Sequence, residues 1–122
     1  VSLNCFMGSP IGSPAATTYR RMGDIVQPSP AEALTFVDER VETINDGSFA
    51  LQWAFEEANP GSWQLRDKPG ISHSRGANLA FADGHAEYRR WEDARTVKAP
   101  RDDAVMAGNA DILWLQRRAT QR

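Results

Sequence analysis

The sequence is poor in the residues that hold small proteins together covalently or span a membrane. It has one cysteine in 122 residues, Cys5, which excludes an internal disulfide framework. No apolar run within it approaches the ~20 residues that a membrane-spanning helix needs. Its formal net charge of −2 gives no general attraction to nucleic acid, so we expect no nucleic-acid partner.

What is present is the composition of a globular domain. Hydrophobic residues make up 41% of the chain and charged residues 25%, which argues against global disorder. A chain of this length buries about two-thirds of its surface on folding, so a core needs no disulfide or metal. We expect one domain over residues 1–122, with 1–30 irregular, 31–91 the sheet core and 108–118 a helix. The irregular part is predicted from the breakers Gly8-Ser9-Pro10, Gly12-Ser13-Pro14 and Pro28-Ser29-Pro30.

Two segments have the pattern of strands. Ala33–Val37 is apolar on both faces, with Leu34 and Phe36 sharing one of them, which predicts a central strand. Residues 49–56 alternate between apolar and other residues, which predicts a second strand with one buried face. That face would carry Phe49, Leu51, Trp53 and Phe55.

The pair Asp83-Gly84 predicts a β-hairpin over Ala77–Trp91. Asp-Gly between two strand-like runs is typical of a two-residue type I′ turn, in which both central residues take positive φ. That turn sets a register in which one face packs into the core. The predicted core-facing residues are Leu79, Phe81, Ala86 and Tyr88.

The C-terminal part predicts a short helix. Asn109 is a favourable cap, Asp111 falls in the first turn, and Arg117 and Arg118 fall in the last, where each complements the helix dipole. The expected fold class is therefore α+β: a small antiparallel sheet with a hairpin and a short C-terminal helix.

Few residues have the spacing of a catalytic site. His73, Asp83 and His85 could form a metal site, as in a metal-dependent hydrolase. The favoured interpretation is structural, with Asp83 making the turn and His73 bonding to backbone. There is no Gly-x-Ser-x-Gly, HExxH or phosphate-binding loop, so we expect no enzymatic activity and assign no catalytic residue.

Two further groups of residues leave alternatives open. Asp38, Asn45 and Asp46 offer the oxygen ligands that calcium prefers, although a polar turn explains them equally simply. The four tryptophans could form a surface that binds carbohydrate or another ligand, although such residues more often fill a core. Their positions are Trp53, Trp63, Trp91 and Trp114.

An ordered set of motifs resembles a known family. His73, nine residues and then Asp83-Gly84 match the signature of the prepilin-type, processing-associated H-X9-DG proteins. The resemblance covers roughly residues 20–118. Its signature positions are His73, Gly76, Asn78, Phe81, Asp83, Gly84, His85 and Trp91. Further similar blocks are Pro28–Glu32, Phe36–Glu39, Ile44–Gly47 and Asp111–Leu115.

The resemblance implies a pilin-like head from the class of type IV pilins and type II secretion pseudopilins. It implies a structural subunit in the periplasm or on the surface of a bacterium, whose partners are other pilin-like subunits, the secretion machinery or secreted cargo. The long apolar helix of that class is not in this sequence, so we expect a soluble fragment of a membrane-tethered parent. Related pseudopilins hold calcium in a head-domain loop, which makes calcium the metal to test.

Overall fold

The computed structural model describes residues 1–8, 16–99 and 103–122. The breakers Ser9-Pro10 and Gly12-Ser13-Pro14 lie outside these ranges. The seven strands described are β1 (Ser2–Asn4), β2 (Leu34–Val37), β3 (Ser48–Phe49), β4 (Gln64–Leu65), β5 (Gly76–Phe81), β6 (Ala86–Arg90) and β7 (Ala104–Val105). The helices are α1 (Ala94–Val97) and α2 (Ala110–Ala119), with short 3-10 turns at Met22–Asp24, Val41–Thr43 and Pro60–Ser62.

The fold confirms the predicted α+β class. Five strands form a sheet in the order β3-β1-β2-β5-β6, and β4 and β7 form a separate pair. All neighbours in the large sheet are antiparallel except β1 and β3, which are parallel. Residues 1–30 were predicted to be irregular, but they contain strand β1, which lies inside the sheet between β3 and β2. The C-terminal helix is present, and it ends one residue beyond the predicted range.

The predicted strand over residues 49–56 is wrong beyond Phe49. Only Ser48–Phe49 pairs, and it pairs with β1. Beyond it, the backbone N–H of Ala50 donates to the Asp67 carboxylate (2.6 Å) and that of Leu51 to the Cys5 thiol (3.4 Å). Leu51 and Phe55 are nonetheless buried. The alternation therefore marked burial, while the backbone N–H groups of Ala50 and Leu51 bond to side chains and not to a neighbouring strand.

Strand β2 is central, as predicted, but its faces are not those expected. Its register against β5 shifts between Leu34 and Phe36, which is the mark of a β-bulge. The bulge buries both Leu34 and Val37 and leaves Phe36 44% exposed. The prediction that Leu34 and Phe36 share a face is therefore wrong.

The hairpin of β5 and β6 exists, but its turn differs from the one predicted. Gly84 has φ +94°, whereas Asp83 is not among the residues with positive φ, so a type I′ turn is excluded. Instead the Gly84 N–H donates to the Phe81 carbonyl, and the Phe81 N–H donates to the His85 carbonyl, both at 3.0 Å. This is a three-residue loop that ends in a glycine bulge.

The extra loop residue shifts the register by one position and exchanges the faces of β6. Leu79 now lies opposite Glu87, and Asn78 opposite Tyr88. Ala77, Leu79 and Phe81 face the core as the buried residues of β5. The prediction that Ala86 and Tyr88 also face the core is wrong, since both are exposed on the outer face of the sheet.

Gly84 remains the residue that the turn depends on. We expect Gly84→Val to lower the free energy of unfolding by ~1 kcal/mol or more, because a β-branched residue resists positive φ. Thermal melting measures the effect. Gly23→Val is a suitable control, since Gly23 has an ordinary φ and open space around it. Equal melting temperatures for the two variants would contradict the loop described above.

Helix α2 packs on the inner face of the sheet. Its buried residues recur at helical spacing, which is typical of a helix with one face in a core. They are Asp111, Ile112, Leu115, Gln116 and Ala119. The buried Asn4 amide donates to the carbonyls of Leu34 and Ala119, each at 2.8 Å, and so ties β1 to both β2 and the end of α2.

Candidate functional site

The H-X9-DG residues lie at the two ends of strand β5. At one end, the Gly76 N–H donates to the His73 carbonyl (3.0 Å), and the residues between, Ser74 and Arg75, have φ of 50° and 64°. These are the features of a type I′ turn, here without glycine at either central position. At the other end lies the loop closed by Asp83-Gly84. The nine-residue spacing therefore contains one turn and one strand.

Tyr88 fastens the first of these turns to the sheet. Its hydroxyl donates to the carbonyls of His73 (2.6 Å) and Ser74 (3.1 Å). The ring reaches them by crossing Gly76, where an added Cβ would lie 2.6 Å from the Tyr88 hydroxyl. A glycine at residue 76 is therefore what allows the clamp to form. We call the arrangement of His73, Ser74, Arg75, Gly76 and Tyr88 the tyrosine clamp.

Trp91 closes the same end of the hairpin from the inner side. It is 2% exposed, and its indole N–H donates to the Gly70 carbonyl (2.8 Å). Its backbone N–H donates to the Arg75 carbonyl (3.0 Å). Both bonds hold the loop before β5 against the strand after it, so this signature residue has a structural role in the fold.

At the other end, His85 lies between two carboxylates. Its Nδ1 contacts Asp83 and its Nε2 lies 3.3 Å from Glu87, while its ring stacks on Phe81 with centroids 4.6 Å apart. The Asp83 carboxylate also accepts the His85 backbone N–H (3.1 Å), which confirms that Asp83 makes the turn. Asp83 foremost, and then Glu87, raise the pKa of His85 above its ordinary 6.5, and His85 lowers the pKa of Asp83.

This pair gives a pH-dependent prediction. Because the folded pKa of His85 is raised, its contribution to stability is fully present below pH 6.5 and is lost as pH rises through the folded pKa. The lowered pKa of Asp83 gives a contribution that is present above pH 3.8 and is lost as pH falls through the folded value. The ion pair therefore stabilises the fold most between pH 3.8 and 6.5.

An NMR titration of the His85 ring protons measures this shift. We expect Asp83→Asn to bring the pKa of His85 down toward 6.5, and Glu87→Gln to lower it by less, because Asp83 is the larger cause. An equal pKa in the native protein and in Asp83→Asn would contradict the contact.

The structure does not bring His73, Asp83 and His85 together. Strand β5 separates His73 from the other two and spans roughly 16 Å at the usual rise per residue. The calcium candidates lie elsewhere: Asp46 accepts the Ser48 N–H through its carboxylate (2.7 Å), and the Asp38 carbonyl accepts the Gly70 N–H (2.6 Å). Asn45 is exposed. Within the described ranges, no three His, Cys, Asp or Glu side chains form a group that could hold a metal ion.

The tryptophans do not share one surface. Trp63 and Trp91 are buried, whereas Trp53 and Trp114 are half-buried. Each of the half-buried rings has an arginine over it, at 5.4 Å for Arg66 on Trp53. Both half-buried rings therefore make cation–π contacts within the chain.

The chain was compared with family models, curated proteins and solved structures. No family model, curated protein or solved structure matches this chain. In the part of the chain that the structure describes, no helix is long and apolar enough to cross a bilayer.

A buried polar cluster surrounds Asp111, and no sequence pattern indicates it. This carboxylate is fully buried and accepts the backbone N–H groups of Glu92 (3.1 Å) and Asp93 (3.0 Å) and the Thr96 hydroxyl (2.8 Å). An Arg89 guanidinium nitrogen lies 3.3 Å away. Asn109, also fully buried, caps the helix by accepting the Asp111 and Ile112 N–H groups. We call Arg89, Thr96, Asn109 and Asp111 the Asp111 cluster.

The cluster continues into a stack of cations on Trp114. The guanidinium groups of Arg89 and Arg118 lie 4.3 and 4.2 Å from the Trp114 ring centroid. Cation–π contacts of this kind stabilise modestly at a surface and more when they are shielded from water. Burial lowers the pKa of Arg118, which indicates partial shielding here. Arg89 therefore connects β6 to α2 through its contacts with Asp111 and Trp114.

An open groove of about 610 Å³ lies beside the C-terminal turn of α2. Its wall includes Arg117 paired with Glu57, and this pairing lowers the pKa of that carboxylate. Arg122 donates to the Gln116 amide oxygen (2.6 Å) and to the Gln52 carbonyl (3.2 Å). The charged groups that line the groove are thus bonded within the chain, and they do not form a nucleophile–base pair.

Proposed function

We propose that this chain is a non-enzymatic structural subunit, the pseudopilin-like head of a type II secretion or type IV pilus-like filament. One observation carries the proposal: the signature residues hold the two ends of one hairpin, and they do not converge on a site. The His73 backbone carbonyl and Gly76 take part in the tyrosine clamp, Asp83 and Gly84 build the loop, and Trp91 fastens the loop before β5. Each of these groups stabilises the fold of the hairpin or of the loop before it.

The charged groups near these residues support the same function. Asp83 and His85 are signature residues with shifted pKa values, and they contact each other, with Glu87 beside His85, at an exposed hairpin tip and not in a cleft. Groups with shifted pKa values often mark catalytic sites, but such sites also need a cavity that excludes water. The hairpin tip is exposed to solvent and so lacks such a cavity. We place the protein in the periplasm or at the cell surface, with other pilin-like subunits, secretion machinery or secreted cargo as its partners.

Following the native protein in cells tests the proposal. We expect it in the filament fraction sheared from the cell envelope, and its N-terminal sequence should show cleavage just before a stretch of ~20 apolar residues. In a strain without prepilin peptidase, the protein should keep a longer N-terminus and leave the sheared fraction. An unchanged mass in that strain would overturn the proposal.

A further inference from the structure

The chain contains two Asp-Gly pairs, Asp46-Gly47 and Asp83-Gly84, and the fold places them in different surroundings. In such a pair the glycine nitrogen can attack the side-chain carboxyl carbon of the aspartate, because glycine has no Cβ to block a close approach. A five-membered succinimide ring forms, and its hydrolysis leaves either aspartate or isoaspartate. Whether the attack occurs depends on how firmly each pair is held in the folded chain.

The Asp83-Gly84 pair is held by several bonds. The Gly84 N–H, whose nitrogen would be the nucleophile, donates to the Phe81 carbonyl (3.0 Å). The Asp83 N–H donates to the Pro30 carbonyl (3.1 Å), which ties the loop to the segment before β2. The carboxylate accepts the His85 backbone N–H and contacts the ring of the same residue, and both interactions keep the pKa of Asp83 below its ordinary value. Because the carboxyl group must be protonated to lose water, the lowered pKa also disfavours the reaction.

The Asp46-Gly47 pair is less constrained. It lies in the bend before β3, and both of its residues are exposed. The Asp46 carboxylate accepts the Ser48 N–H (2.7 Å), and this bond folds the side chain back over the intervening Gly47 peptide. Within the described ranges, the Gly47 N–H donates to no protein group, and beyond its chain neighbours no atom lies within 4 Å of where a Cβ would stand. The Gly47 nitrogen is therefore free to attack.

We propose that Asp46 is a site of spontaneous isoaspartate formation in the folded protein, and that the fold protects Asp83 from the same reaction. The Gly47 nitrogen bonds to the Asp46 side-chain carbon and gives up its proton, while one carboxyl oxygen leaves as water. A second water molecule then opens the ring at the carbon of the former Asp46 backbone carbonyl. That carbon becomes a free carboxylate, and the side-chain carbon keeps its bond to Gly47. The reaction needs no oxidant or enzyme, and it does not depend on the filament role proposed above.

Isomerisation adds one methylene group to the main chain directly before β3. The Gly47 carbonyl accepts the Leu3 N–H (2.8 Å), and the Ser48 N–H donates to the carboxylate that the reaction consumes. Strand β3 has only two residues and lies at an edge of the sheet, with β1 as its neighbour. It therefore has few other bonds to keep its register. We expect the modified chain to lose pairing between β1 and β3, while the hairpin of β5 and β6 is unchanged.

Ageing the native protein in heavy-oxygen water at neutral pH tests the proposal. Each ring opening transfers one solvent oxygen to the aspartate, and mass spectrometry of peptides with electron-transfer fragmentation locates the label and distinguishes isoaspartate from aspartate. We expect isoaspartate to form at residue 46 at least about tenfold faster than at residue 83, because the bonds around Asp83 must first break. In the chain unfolded in urea, the two pairs should react at similar rates, since those bonds are absent.

Two variants separate the structural causes. Gly47→Val places a branched side chain beside the attacking nitrogen and should leave little isoaspartate at residue 46, with a native melting temperature because the space around Gly47 is open. His85→Ala removes the ring from the Asp83 carboxylate and should speed the reaction at residue 83 without changing the rate at residue 46. In the aged native chain, amide hydrogen exchange should become faster at Leu3 and stay unchanged at Leu79 in β5.

An aged native chain without isoaspartate at residue 46 would overturn the proposal, and so would equal rates at residues 46 and 83 in the folded protein. A preference for residue 46 that is no larger in the folded than in the unfolded chain would also contradict it, because local sequence would then decide between the two pairs. Unchanged exchange at Leu3 in the modified chain would overturn the expected effect on β3.

Discussion

Replacing Asp111 with alanine should lower the free energy of unfolding by about 3–5 kcal/mol, the largest effect that we expect from one substitution in this chain. The carboxylate is fully buried and accepts bonds from Glu92, Asp93 and Thr96, with Arg89 beside it. Alanine would leave two backbone donors, a hydroxyl and a cation without their acceptor. An unpaired buried polar group costs the full free energy of its desolvation. Urea denaturation followed by circular dichroism measures the loss.

The matched control is Asp46→Ala. Asp46 is exposed and accepts one backbone N–H, from Ser48, so its removal should cost less than about 1 kcal/mol. Thr96→Val tests whether the cluster acts as a unit, and its effect combined with Asp111→Ala should be well below the sum of the two single effects. A loss under about 1 kcal/mol for Asp111→Ala would show that the carboxylate is not the centre of the cluster.

Gly76→Ala should lower the free energy of unfolding by about 3 kcal/mol, at the upper end of the usual cost of overpacking. An added Cβ would lie 2.3 Å from the Arg89 carbonyl and 2.6 Å from the Tyr88 hydroxyl. The tyrosine ring can swing away, but it then gives up its bonds to the His73 and Ser74 carbonyls. The Arg89 carbonyl is backbone, so strand β6 itself must move. Chemical denaturation measures this change also.

Gly47→Ala is the control, because Gly47 has an ordinary φ and open space around it. We expect it to match the native protein. Adding Tyr88→Leu to Gly76→Ala should recover only part of the loss, since the clash with the Arg89 carbonyl remains. A Gly76→Ala protein as stable as Gly47→Ala would show that β5 and β6 are farther apart at this end than described.

The sequence predicted the elements of the hairpin and misjudged its register, for a specific physical reason. Asp-Gly is compatible with a two-residue type I′ turn and with a three-residue loop whose glycine forms the bulge. The two differ by one residue, and one residue reverses which side chains face the core. A similar slip occurred in β2, where the bulge near Phe36 cannot be recognised from alternation alone.

The Asp111 cluster lay beyond sequence reasoning for another reason. Asp111 in the first turn of a helix is explained fully by capping and by the helix dipole, so nothing in the pattern marked it as buried. The groups that donate to its carboxylate come from Arg89, Thr96 and the backbone of residues 92 and 93, and only the fold brings these together. A buried aspartate of this kind is a product of tertiary structure.

The two turns that bound β5 make the length of that strand a fixed quantity. The tyrosine clamp holds one end of β5 and the Gly84 bulge holds the other. An inserted residue would therefore break one of the two turns. An insertion would also exchange the inward and outward faces of everything beyond it. The nine residues between His73 and Asp83 are thus constrained in number, and Gly76, Leu79 and Phe81 among them are constrained in chemistry as well. In this chain, the spacing between His73 and Asp83 therefore sets the length of one strand between two fixed turns.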